Sequence, residues 1–207
     1  MKSILLPKHT YIIGIDEVGR GPLAGPVAVG AVIFWGKAVP KKLRPGKDSK
    51  KLSVRLREEW FTKIQMAEGC GELAYAVSFV SSKIIDSRGL RFAIRKALAT
   101  SLQKVFKKRN VKAGECYVLL DGGLSAPAQF PHQKTIIKGD EKEPIISLAS
   151  IAAKVLRDRK MCVLAKKYPN YDFEVHKGYG TAGHYKKIKQ HGLSPIHRRS
   201  FLKKLVN

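Results

Sequence analysis

Acidic residues are scarce in this chain. Asp and Glu number 16 against 40 Lys and Arg, and the formal net charge is +24. A few units of charge keep a small domain soluble. An excess of this size points instead to a polyanionic partner, with nucleic acid first and an anionic membrane surface second. Cysteine is scarce too. Cys70, Cys116 and Cys162 are odd in number, far apart and never in a CxxC pair. That excludes a disulfide framework and a zinc knuckle and fits a reducing compartment. Long apolar runs are missing. The longest uncharged stretch covers 21–36, is broken by Pro22 and Pro26, and falls short of the ~20 residues a membrane helix needs. The apolar part of "MKSILLPKHT" is too short for a signal peptide. A cytoplasmic protein with no membrane partner is expected. Repeats and low-complexity tracts are also absent, which removes solenoids and disordered arrays.

What is present is a core-forming chain. Hydrophobic residues make up 44% of 207 positions, enough for one large domain or a domain with a small appendage. "YIIGID", "VAVGAVIF", "GELAYAVSFV", "CYVLLD" and "KTII" read as five strands, the second and third paired. Ser53 can cap a helix that begins near Val54. Apolar residues from Leu90 to Phe106 recur at helical spacing. Pro144 opens the clearest helix, whose buried face carries Ile145, Leu148, Ile151, Ala152, Val155 and Leu156. Lys154, Arg157, Lys160 and Lys166 fall largely off that face, and "YPNYDF" breaks the helix. The remainder is basic and aromatic with short helical patterns. The order implies an α/β fold, a mixed sheet with helices packed on it. The division expected is a main core over 1–170 and a C-terminal helical region, packed on that core, over 171–207.

Against this basic background a few acids stand out. Asp16 and Glu17 close the first strand, Asp121 closes the fourth, and Asp140 follows the fifth. Glycine-containing turns follow Asp16 and Asp121. Acids at the ends of neighbouring strands can converge on one sheet edge. Such a cluster repels itself unless a cation neutralises it. Hard divalent ions bind oxygen ligands, and a pair of them activates water and stabilises the leaving oxygen of a phosphodiester. Glu141, Glu143 and Asp158 lie near enough to compete for these places. Asp158, four residues after Lys154, also reads as an ordinary helix-surface charge.

These stretches carry a resemblance. "GIDEVGRGPLAGPV" at 14–27, "DSKKLS" at 48–53, "YVLLDGG" at 117–123 and "KGD" at 138–140 occur in order. "ISLASIAAKVLRDR" at 146–159, "HKGYGTAGH" at 176–184 and "GLSPIHRRSF" at 192–201 follow. Together they resemble the ribonuclease HII family, the type 2 ribonucleases H. The resemblance implies a ribonuclease H-like mixed five-stranded sheet with flanking helices and a small C-terminal helical region. It implies cleavage of the RNA strand of RNA–DNA hybrids and nicking at ribonucleotides embedded in duplex DNA, leaving 3′-hydroxyl and 5′-phosphate ends. It places the Mg²⁺- or Mn²⁺-binding carboxylates, for two ions in catalysis, on Asp16, Glu17, Asp121 and Asp140, which selects Asp140 over Glu141 and Glu143. A monomer is the simplest assembly.

An enzyme of this kind must sense a 2′-hydroxyl, the group that separates RNA from DNA. Gly19, Arg20 and Gly21 suit that task, because glycine lets the backbone approach a sugar closely; the resemblance assigns the loop the same role. It also places the Tyr179 ring on the deoxyribose 3′ of the ribonucleotide. Lys50, Ser147 and Lys154 read as phosphate contacts. His176, His184 and His197 read as phosphate-binding or structural, and "HRR" at 197–199 as a backbone-binding run. The chain departs from the family at 83–94, with Gly89 near the place of a usual asparagine, and at Leu148, where alanine is usual. Two other readings compete. A non-catalytic basic nucleic-acid binder needs no acids at strand ends. Another nuclease of this fold, such as a junction resolvase, needs neither the tyrosine nor the glycine–arginine–glycine loop.

Overall fold

The computed structural model describes residues 11–36, 38–45 and 52–203. Lys50 lies outside them. Five strands form one sheet: β1 (Tyr11–Val18), β2 (Val27–Trp35), β3 (Leu73–Val80), β4 (Cys116–Asp121) and β5 (Gln133–Ile136). Their order is β3-β2-β1-β4-β5. The first three strands pair antiparallel, while β4 runs parallel to β1 and β5 parallel to β4. All five expected strands are present. The first is longer than expected: it runs past Asp16 because pairing with β2 continues to Val18 opposite Ala28.

Both faces of the sheet are covered, which is why β2 is apolar almost throughout. On one face, residues such as Ile13, Ile15 and Leu120 pack against α2 (Ser82–Arg88) and α3 (Leu90–Arg109). On the other, Ile12, Val32 and Leu119 pack against α1 (Val54–Gly69) and α5 (Pro144–Lys167). Between β5 and α5 lies a one-turn helix, α4 (Gly139–Lys142). Ser53 caps α1 as its position suggested, accepting from the Leu56 N–H at 3.3 Å. Helix α5 lies very close to the sheet. A Cβ on Gly14 would come within 2.2 Å of the Ile145 carbonyl oxygen, and one on Gly30 within 2.4 Å of that of Ala149. Two glycines in adjacent strands therefore set the depth of α5. Leu148, the unusual leucine, is fully buried beneath it.

Beyond α5 come α6 (Phe173–His176) and α7 (Ala182–His191). This segment is stitched to the turn between β1 and β2. The Gly178 carbonyl accepts from the Leu23 N–H at 2.8 Å, Gly25 donates to the Ile196 carbonyl at 2.9 Å, and Arg198 donates from its backbone to the Leu23 carbonyl at 2.7 Å. Among the described residues no helix is long and apolar enough to cross a membrane.

Candidate active site

The sheet register brings the acids together. Ile15 lies opposite Leu120 across the parallel β1–β4 pair, so Asp16 and Asp121 stand one step further along adjoining strands. Alternation sends both side chains to the face of Ile12 and Leu119, the face that α5 covers. Ile136 of β5 lies opposite Asp121, and α4 then carries Asp140. Asp121 ends β4, Asp16 lies two residues before the end of β1, and Asp140 follows β5, so all three gather toward the carboxyl edge of the parallel strands, where open α/β sheets bind their ligands.

These acids are buried: Asp16 is 3% exposed, Asp121 9% and Asp140 1%. Burial pushes the Asp16 carboxyl up to about 8, and the charges of Glu17, Asp121 and Asp140 add to the rise against a hydrogen bond from Ser150. Burial raises Glu17 as well, opposed by Arg20, whose Nη1 donates to Glu17 Oε1 at 2.8 Å. Asp16 Oδ1 accepts from the Glu17 N–H at 2.8 Å, and Asp121 Oδ1 from the Gly139 N–H at 2.6 Å. Among the described residues no three His, Cys, Asp or Glu side chains stand close enough to hold a metal ion as they are; several of these oxygens are engaged by N–H groups and Arg20. The donor set nonetheless suits a hard divalent cation. It is all carboxylate, it is buried with mutual repulsion, and the buried Glu17 Oε2 accepts no hydrogen bond among the described residues.

Asp16, Glu17 and Asp121 open into a cavity of about 370 Å³. Gly19, Arg20, Gly21, Lys154 and Tyr179 border the same cavity, so most of the residues singled out in the sequence meet there. Asp140 is not on its wall, but its charge raises the Asp16 carboxyl. Ser147 is not on its wall either. It is 2% exposed and faces the interior. Ser150, one turn on, does line the cavity and hydrogen-bonds Asp16. Lys154 marks that position, because Ser150 lies one turn before it on the same helix face. Arg57 and Ile151 also line the cavity and carry no comparable signal. Asp158 is the helix-surface partner it resembled, with its two oxygens 3.0 and 2.9 Å from Lys154 Nζ.

Two arginines expected on the surface are instead fully buried. Arg198, in the "HRR" run, donates from Nη2 to the Gly19 carbonyl at 2.7 Å, from Nη1 to that of Arg20 at 2.8 Å, and from Nε to that of Gly25 at 3.0 Å. The peptide unit is planar and trans. Holding these two carbonyls inward therefore turns the N–H groups of Arg20 and Gly21 away from Arg198. Arg157 lies under the loop. Its Nε donates to the Pro26 carbonyl at 3.0 Å and its Nη2 to that of Lys177 at 3.1 Å. A Cβ on Gly19 would meet Arg157 Nε at 2.3 Å, and Gly19 has φ +91°. Close approach and backbone conformation both require glycine there. Tyr179 is 40% exposed, so it is not a core tyrosine. Its ring centroid lies 5.7 Å from Arg157 Cζ and 5.9 Å from Lys154 Nζ.

The histidines are structural. His197 Nδ1 accepts from the Ser194 N–H at 2.8 Å, so its Nε2 donates to His184 Nε2, 3.0 Å away. His184 Nδ1 then donates to the Tyr179 carbonyl at 2.9 Å. Both rings must be neutral for this chain to close. Burial pushes each down to about 4. His176, stacked on His184 with centroids 4.1 Å apart, accepts from the Gly178 N–H at 3.1 Å.

The site can be placed among known proteins. The sequence model of ribonuclease HII matches residues 13–204. The chain belongs to the ribonuclease HII family. Ribonuclease HII of Caldicellulosiruptor bescii is 40% identical over 206 residues, covering 100% of this chain and 93% of that protein. Ribonuclease HII of Bacillus anthracis is 44% identical over 194 residues, covering 93% and 69%. The crystal structure of the ribonuclease H2 from Pyrococcus horikoshii superposes with a TM-score of 0.73 at 28% identity, covering 94% of this chain and 96% of that one. The mixed five-stranded sheet is thus the ribonuclease H-like fold, and the chain is a ribonuclease HII-family endoribonuclease. The loop, the acids and Tyr179 all fall within the matched residues.

Proposed function

We propose that this ribonuclease HII-family chain is a divalent-metal-dependent endonuclease. Its substrates are the RNA strand of RNA–DNA hybrids and single ribonucleotides embedded in duplex DNA, and it leaves 3′-hydroxyl and 5′-phosphate ends. The observation that carries the reading is the convergence on one cavity of Asp16, Glu17 and Asp121 with the Gly19–Arg20–Gly21 backbone and an exposed Tyr179. Asp16, Glu17, Asp121 and Asp140 hold Mg²⁺ or Mn²⁺, two ions in catalysis, which supply the charge that activates water and stabilises the leaving oxygen. The loop places peptide N–H groups against the ribose, whose 2′-oxygen they bond without reading the base. Tyr179 offers a flat apolar ring to the neighbouring sugar, a surface that suits a deoxyribose better than a ribose. Lys154 adds positive charge beside the phosphate, and Lys50 serves the same end. Residues 1–170 act as the catalytic core, and 171–207 form the substrate-binding region packed on it. The protein works as a cytoplasmic monomer.

A labelled DNA duplex with one ribonucleotide, incubated with and without Mg²⁺ or Mn²⁺, tests this directly. All-DNA duplex and a four-way junction serve as controls. A metal-dependent nick at the ribonucleotide is expected. Its absence rejects the reading, and cleavage of the junction alone favours a resolvase.

A further inference from the structure

The active-site cavity does not end at Arg20. The same side chain borders a second concavity of about 690 Å³, between α3 and the turn after β4, lined also by Arg91, Arg95 and Ser125. That one in turn shares Arg95, Leu98 and Ser125 with a third of about 550 Å³, which adds Lys96 and the 126–128 segment. The three form one track leading away from the acids. No Asp or Glu lines the second or third part. Arg91, Arg95 and Lys96 are exposed and form no ion pair among the described residues. Lys108 on the same helix is different: it is bound to Glu68 at 2.7 Å and to the Tyr75 carbonyl at 2.9 Å.

Helical geometry gives the track its length. Arg91 and Arg95 are four residues apart and share a face. From Arg91 to Ala99 the helix advances roughly 12 Å at 1.5 Å per residue. One strand of a duplex advances about 3.4 Å per nucleotide, so the track matches about three nucleotides. A concave positive surface opening out of the cavity that holds the acids fits a polyanion whose next charges lie just beyond the cleaved bond. We propose that Arg91, Arg95 and Lys96 bind the sugar–phosphate backbone of the substrate duplex over about three nucleotides on one side of the cleavage point. This rests on the nucleic-acid substrate argued above.

The test is the double variant Arg91→Ala/Arg95→Ala, at exposed positions away from the acids. Binding of a ribonucleotide-containing duplex is read by fluorescence anisotropy in EDTA across a salt series, so the measurement does not depend on cleavage. The slope of log affinity against log salt is expected to flatten by about 1.8, two phosphate contacts at 0.9 each. The double variant Arg91→Lys/Arg95→Lys should keep the parent slope. Duplexes are also shortened stepwise from either end. Parent affinity should fall when fewer than about three base pairs remain on one side only, and the alanine variant should ignore shortening on that side. An unchanged slope, or equal losses from both ends, overturns the proposal. A parent that binds with the expected slope difference but never cuts the ribonucleotide overturns the functional reading and leaves the track standing.

Discussion

A carboxyl group held near a pKa of 8 beside three other acids carries its charge at a cost to the fold. Asp16 therefore serves something other than stability. Asp16→Asn keeps the shape, removes that charge and weakens the set of oxygen donors. Cleavage should drop by about 10³-fold or more, the effect of losing several kcal/mol of metal-assisted stabilisation. The thermal midpoint in EDTA should stay level or rise. A fall in that midpoint together with loss of duplex binding would make Asp16 a structural residue. Arg198 presents the opposite case, a charge buried for the sake of position. Its planar fork reaches three carbonyls at once, a geometry that the single ammonium of lysine cannot copy. In Arg198→Lys the sheet should remain intact by circular dichroism, while the Gly19–Arg20 carbonyls lose their common anchor. A displacement of about 1 Å at a reacting centre costs on the order of 100-fold. The expected loss of kcat/KM on a single-ribonucleotide duplex is of that size, with duplex affinity in EDTA nearly unchanged. Equal loss of binding and cleavage would contradict a positioning role.

At the scale of elements, the loop that carries Tyr179 is held by imidazoles that work only when neutral. His184 and His197 have folded pKa values depressed to about 4, against an ordinary value near 6.5. Above about 6.5 both are neutral in the folded and unfolded chain alike, and their contribution is complete. Between about 6.5 and 4 the unfolded chain takes up protons that the folded one refuses, so stability falls as the pH falls. Asp16 and Glu17, raised by burial, act in the opposite sense over this range, so the pair is read as a difference: from pH 7 to pH 4.5 the thermal midpoint of the parent should fall relative to that of a variant lacking one ring. His197→Asn, which removes one of the two titrating rings, is that variant; parallel curves would remove the pair from the explanation. The same loops show where sequence reading stops. The strands were legible because β-branched runs buried on both faces need no partner to declare themselves, and the acids were legible because they interrupt such runs. The burial of Arg157 and Arg198 was not legible, and only the spacing from Lys154 hinted that Ser150 rather than Ser147 lines the cavity. An arginine reads as surface charge until the carbonyls of 19, 20, 25, 26 and 177 are folded around it. Which serine of α5 meets Asp16 depends on how far the helix is rotated over Gly14 and Gly30. The extension of β1 past Asp16 has the same origin, in pairing with β2 that the glycine turn conceals.

For the whole molecule, a net charge of +24 contrasts with a cavity in which three acids are gathered. The two act at different ranges. Exposed lysines and arginines address phosphates through solvent, where screening sets in over about 10 Å at 0.1 M salt. The acids are buried, and buried charges are screened much less. Salt should therefore separate binding from chemistry. If the duplex is held through about six phosphate contacts, its affinity should fall by about 10³-fold between 50 and 200 mM salt. Over the same range kcat at saturating substrate should change by no more than about threefold, because little of the buried field is screened. Steady-state kinetics at several salt concentrations give both numbers from one data set. The Asp16→Asn protein supplies the complementary measurement. Above about pH 8, where the parent carboxyl is charged, it has one fewer negative charge facing the cavity, so in EDTA it should there bind the duplex at least as tightly as the parent at every salt concentration. A KM that ignores salt, or a kcat that follows it as steeply as KM does, would mean that the positive surface is not what delivers substrate to the acids.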